Sequence, residues 1–137
     1  MNAPEINQRI GRWRIRRGPR AAMECRDHVA DLIGSEHRSG HGDALLVVSE
    51  LAANASEYGT SESFEVEADD DGSSLTLVVR NPAAERPPSQ PWQMPDPDAP
   101  RGRGLAVVDR VARALEVGRD AGVVVVRAVV DLGPEPG

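Results

Sequence analysis

The 137-residue sequence contains no lysine; all 16 of its strongly basic residues are arginines. A P-loop needs a lysine to reach the β- and γ-phosphates, so any nucleotide site in this chain is not of the Walker-A kind. Cysteine is almost as scarce. Cys25 stands alone, which excludes an internal disulfide and leaves no CxxC or Cys/His set for a structural zinc. Its expected place is a small buried apolar position. Long apolar runs are also missing. No stretch approaches the roughly 20 apolar residues that span a bilayer, and the N-terminus lacks the apolar region of a signal peptide, so the expected location is the cytoplasm. The length suits one compact domain, residues 1–137, and is too short for two of ordinary size.

The net charge is −6, which counts against a nucleic-acid binder and leaves direct nucleic-acid contact unexpected. The charge is unevenly spread. Arg9, Arg12, Arg14, Arg16, Arg17 and Arg20 crowd the start, while Glu62, Glu65, Glu67, Asp69, Asp70 and Asp71 cluster in the middle. Runs of this kind are usually solvated faces.

Hydrophobic spacing outlines the elements. RWRIRR alternates apolar and charged residues, the pattern of an edge strand at about residues 9–18. Cys25, Val29, Leu32 and Ile33 recur at helical spacing, with Gly34 placed to end that helix. Asp43 is an expected N-cap for ALLVVSELAANASEY, which Gly59 can close in the left-handed conformation. SFEVEA and SLTLVV alternate around the polar DDDGS and predict a β-hairpin. Residues 82–101 are rich in proline and lack periodicity, so a long irregular loop is expected there. GRGLAVVDRVARAL resumes helical spacing through Leu115, and VVVVRAVV reads as a closing buried strand. This order predicts an α+β two-layer sandwich, with helices on one face of a mixed, mostly antiparallel sheet.

Three features can carry chemistry. Glu50 and Asn54, four residues apart, project from one helix face. A carboxylate there can activate a nucleophile, and an amide oxygen can hold Mg²⁺; the bland alternative is a solvent-facing polar pair. Gly102 and Gly104 lie between the long loop and a helix start, where a backbone without side chains lets an anion approach free N–H groups, with Arg101 and Arg103 to add charge. Such glycines are otherwise turn formers. Asn81 ends a strand before a proline; it is suited to reading the edge of a base or, more simply, to starting a turn. The histidines offer less. His28 lacks the helical hairpin a phospho-accepting histidine needs, and Gly40 and Gly42 around His41 argue against one helix aligning it with His37 as a metal pair.

Taken in order, VSELAANASEYG, a hairpin, VVRNP, a long loop and GRGLAVVD resemble the GHKL, or Bergerat-fold, ATPases, and among them the actinobacterial RsbW-like anti-sigma factors and serine-protein kinases. The resemblance covers nearly the whole chain. It implies that Glu50 is the general base, that Asn54 is the Mg²⁺ ligand, and that Asn81 contacts adenine. It further implies that Gly102 and Gly104, with Arg101, Arg103 and Leu105 around them, form the lid over the phosphates. ATP and Mg²⁺ would be the cofactors. A sigma factor and a STAS-type anti-anti-sigma protein would be the partners, the latter phosphorylated on serine or threonine. Members of this kind are often dimers, and an edge strand at Trp13 to Arg17 can either support a homodimer or stay unpaired.

The chain departs from the family pattern at four places. Asn81 replaces the usual Asp, Val124 stands near a common Thr, and Glu57 replaces a basic residue. Pro82, Ala83 and Ala84 replace glycines. The altered adenine position, Asn81, motivates an alternative, a module that keeps the fold and works by gripping a partner without catalysis.

Overall fold

The computed structural model describes residues 8–34, 38–82 and 103–133. The proline-rich loop, with Arg101 and Gly102, and also His37 and the C-terminal tail lie outside the described residues.

The elements run β1 (Arg9–Arg16), α1 (Ala21–Ile33), α2 (His41–Tyr58), β2 (Ser63–Asp70), β3 (Ser74–Pro82), α3 (Arg103–Val111), β4 (Ala114–Asp120) and β5 (Val123–Asp131). The five strands form one sheet in the order β1-β2-β3-β5-β4. Every strand pairing among the described residues is antiparallel. β1 is an edge strand, as its alternation predicts, with Ile15 buried and Arg12, Arg14 and Arg16 exposed. The strands turn Ile15, Phe64, Val66, Leu77, Val79 and Val126 inward to the helices, and these join Val29, Val48, Leu51 and Val108 in one core. Strand period two and helix period 3.6 thus meet on a single apolar layer, the α+β sandwich expected.

α1 ends where predicted. Gly34 adopts a positive φ of 74°, and its N–H donates to Ala30 O at 3.1 Å. α2 differs at both ends. It starts at His41, with Gly40 as N-cap, and Asp43 sits inside the first turn, where a carboxylate still favours the positive end of the helix dipole. Gly59 is extended, at φ −87° and ψ 161°, and not left-handed. A side chain there would run into the guanidinium of Arg17, so this glycine serves close approach. The chain then leaves straight toward β3, and Thr60 N–H donates to Pro82 O at 2.9 Å.

The third helix is shorter than its spacing suggests. It stops at Val111, and residues 114–120, predicted as helix as far as Leu115, form β4. Leu115 and Val117 are inward positions of a strand, opposite Ala128 and Val126. The hairpin between β4 and β5 turns on Ala121 and Gly122, with φ of 49° and 81°. Two positive-φ residues in a two-residue loop match the twist of the flanking strands, and this closure outweighs the helical spacing. The overlooked signal is Asp120-Ala121-Gly122 directly before the valine run.

Candidate functional site

α2 is packed by α1, by α3 and by strands β3 and β5. Being flanked on two sides as well as below, it buries Ala44, Val47, Val48, Leu51, Ala52 and Ala55. Leu45 is half-buried, and Val47 is fully buried. Glu50 and Asn54 therefore lie at the border of the core, and both are half-buried.

The start of α3 comes up against Glu50. A methyl group added at Gly104 would lie 3.1 Å from Glu50 Oε2 and 3.4 Å from Glu50 O. Two segments 54 positions apart in the sequence thus lie side by side, so close that a side chain at position 104 would press on the Glu50 carboxylate. Leu105, the next residue, is 4% exposed and packs into the core, anchoring this first turn. Arg103 opens the helix.

Asn81 occupies the inward side of β3 and is 4% exposed. Its Nδ2 donates to Ala55 O at 3.0 Å, and its Oδ1 accepts from Arg17 Nη2 at 2.9 Å. An amide carries two donors and two acceptor lone pairs, so one N–H and one lone pair are uncommitted among the described residues. Arg17, which the spacing placed only in a charged strand, is the residue sequence reasoning missed. It also donates from Nε to Ser61 O at 2.6 Å and from Nη1 to Ala55 O, and its Cζ lies 6.0 Å from the centre of the Phe64 ring. Burial lowers its pKa from the ordinary value, but arginine starts high enough to stay charged.

Val124, one of the departures, is the cross-strand partner of Asn81. It is 7% exposed on the same inward face. Asn81 and Val124, 43 positions apart in the sequence, thus share one spot in the sheet. Glu57 is exposed on the last turn of α2.

A single line of residues results along α2. Gly104 lies beside Glu50; Asn54 follows one turn on; Ala55, next in the chain, meets Asn81, and Arg17 closes the far end. The donor set of a carboxylate, two amides and a glycine-opened helix start suits a ligand with a hydrogen-bonding base at one end and anionic oxygens at the other.

The remaining candidates behave as structure. His28 stacks on Trp13, with ring centroids 4.9 Å apart and planes 11° from parallel. Among the described residues no group of three or more His, Cys, Asp or Glu side chains is arranged to hold a metal ion. Cys25 is 1% exposed, and burial, with a smaller contribution from Glu24, pushes its thiol up to about 12. No helix among the described residues is long and apolar enough to cross a membrane. The basic and acidic runs are interleaved by register: Arg12 faces Glu67 and Arg14 faces Glu65. Their ion pairs are 3.4 and 3.7 Å long on the outer face of the sheet.

The model of the histidine kinase-like ATPase domain family matches residues 12–130. No curated protein matches the chain.

Proposed function

From the premise that this chain belongs to the histidine kinase-like ATPase domain family and is an ATP-binding module of that fold, we propose that it is an RsbW-like anti-sigma factor. In this reading it is also a protein serine/threonine kinase acting on a STAS-type antagonist. The observation that carries the reading is the meeting of Glu50 with the glycine start of α3, on the helix face that also bears Asn54. The carboxylate that would take a proton thereby lies beside the backbone that would hold phosphate.

When bound, Mg·ATP supplies the phosphoryl group and charge neutralisation at its oxygens. The chain's own residues do the rest. Glu50, half-buried beside Gly104, accepts the proton of the incoming serine or threonine hydroxyl. The amide oxygen of Asn54 is the chain's ligand for Mg²⁺. The N–H groups at the start of α3 favour an anion through their free donors and the helix dipole. Asn81 offers its spare N–H and lone pair to the base. Its family counterpart is usually an acid, so the contact here lacks charge assistance. A sigma factor and its antagonist are the partners in this reading, β1 is the edge at which a second copy would pair, and the site of action is the cytoplasm.

The test is calorimetric titration with ATP, with and without Mg²⁺, followed by transfer to the antagonist. Binding should require Mg²⁺ and be lost in Asn54→Ala. Glu50→Ala should still bind ATP but lose transfer by about 10²- to 10⁴-fold, the usual value of general-base assistance. Undiminished phosphorylation by Glu50→Ala would exclude this mechanism.

One observation favours the second reading, a partner-gripping module without catalysis: Asn81 is committed to Arg17 and Ala55 and stands opposite Val124. In that case ATP at millimolar concentration would not bind, and Glu50→Ala would leave partner regulation untouched.

A further inference from the structure

The purine-facing amide in this reading has a polarity, and something must decide it. A side-chain amide presents oxygen on one side and N–H on the other, and the two orientations are nearly equal in shape. At position 81 both neighbours are chemically one-sided. The guanidinium of Arg17 has donors only, and the carbonyl of Ala55 only accepts. Oδ1 receives Arg17 Nη2 at 2.9 Å, and Nδ2 gives to Ala55 O at 3.0 Å. The reversed amide would set N–H against N–H and oxygen against oxygen, losing both bonds.

Arg17 is itself immobilised. Its Nε donates to Ser61 O at 2.6 Å, its Nη1 donates to Ala55 O, and its guanidinium fills the space left by the missing side chain of Gly59. The same arrangement accounts for an amide at position 81 in place of an acid. A carboxylate there would satisfy Arg17 with one oxygen and point the other at the Ala55 carbonyl.

We propose that Arg17 is a positioning residue that locks the Asn81 amide in one orientation and thereby determines which purine the site accepts. Adenine presents an amino donor beside a ring-nitrogen acceptor, whereas guanine presents a carbonyl acceptor beside an N–H donor, the reverse order. A locked amide, with one spare lone pair and one spare N–H, matches one of these edges and opposes the other. An amide able to turn over matches both. The inference rests on the assignment of Asn81 to the base, and it adds the residue that gives that contact its selectivity.

The experiment measures Kd for ATP and for GTP on the full chain by calorimetry, in the wild type, Arg17→Met and Arg17→Lys. The wild type should prefer ATP. Arg17→Met, which keeps the side-chain bulk without donors, should narrow the ATP-to-GTP ratio by about fivefold, the worth of one net hydrogen bond, the remainder being held by Ala55. Arg17→Lys, a donor-only head, should keep most of the preference. Equal weakening of both nucleotides in Arg17→Met would show a structural role alone and overturn the proposal. So would an unchanged ratio in a variant whose circular dichroism matches the wild type. If Arg17→Met fails to fold, nuclear magnetic resonance of the wild type decides. Asn81 side-chain amide protons that are protected from solvent exchange and show nuclear Overhauser contacts to Ala55 support the lock, and freely exchanging ones without such contacts overturn it. Wild-type binding of ATP and GTP with equal affinity defeats this inference and leaves the ATP site standing. Binding of neither defeats the nucleotide reading and the inference together.

Discussion

Asn81 illustrates how one atom's identity can be set by neighbours remote in sequence. Changing it to Asp keeps size and shape but replaces the N–H that meets Ala55 O at 3.0 Å with a second acceptor. Although the new carboxylate gains charge attraction to Arg17, Asn81→Asp should destabilise the fold by about 1–3 kcal/mol, the usual cost of a buried polar group left without its partner. Urea denaturation checks this, and a stability equal to wild type would show that the amide N–H is dispensable. Cys25 gives a second prediction at this scale. With its thiol pushed up to about 12 by burial, essentially no thiolate exists at pH 8, and access is closed as well. Thiol reagents should react with the native protein only at the rate of its unfolding, and fast native labelling would contradict the packing around α1.

The β4–β5 hairpin and the start of α3 are decided by elements meeting, not by propensity within them. Ala121 holds φ at 49°, a region that costs a residue with a Cβ about 1–2 kcal/mol. Asparagine tolerates it better, so Ala121→Asn should raise stability by about 0.5–1 kcal/mol, readable as a higher urea midpoint with an unchanged slope. A lower midpoint would mean that the turn is not formed as described. The same hairpin converts residues 114–120 from the end of a helix into an edge strand. Spacing of three and four between Val108, Val111 and Leu115 is real. What overrules it is the pairing of Leu115 with Ala128 and of Val117 with Val126, made possible by a turn that a pattern of apolar positions does not register.

At the scale of the molecule, one buried ion pair ties distant segments together. Arg38 and Asp70 are 0% and 1% exposed, with Nη1 to Oδ2 at 2.6 Å. Arg38 also donates to Gly72 O at 2.9 Å and to Gly133 O at 3.4 Å. It thus joins the connection between α1 and α2 to the β2–β3 turn and to the end of β5. Removing one partner strands a buried charge, so Arg38→Met or Asp70→Asn should each cost about 3–5 kcal/mol, measured by denaturation. The exposed pairs Arg12–Glu67 and Arg14–Glu65 should contribute little, about 0–1 kcal/mol each. Within the acidic run, then, Asp70 differs from Glu65 and Glu67 in weight by several-fold, although composition treats them alike.

Most of the architecture was legible in order and period. The alternation of β1, the β2–β3 hairpin around Gly72 and α1 ending at Gly34 leave a local or periodic trace, and the α+β layering follows from the order of such elements. Glu50, Asn54, Asn81 and Gly104 were nameable for a similar reason, since each belongs to a short motif on one element. Their relation was not. That Gly104 rests on Glu50, that Asn81 and Val124 are one cross-strand pair, and that Arg17 leaves a charged strand to hold Asn81 are consequences of long-range packing. The sequence by itself determined the periods, the turns and the chemical types available. Tertiary structure decided which of those types face each other, because hydrogen bonding and burial act across space at distances that carry no fixed separation along the chain.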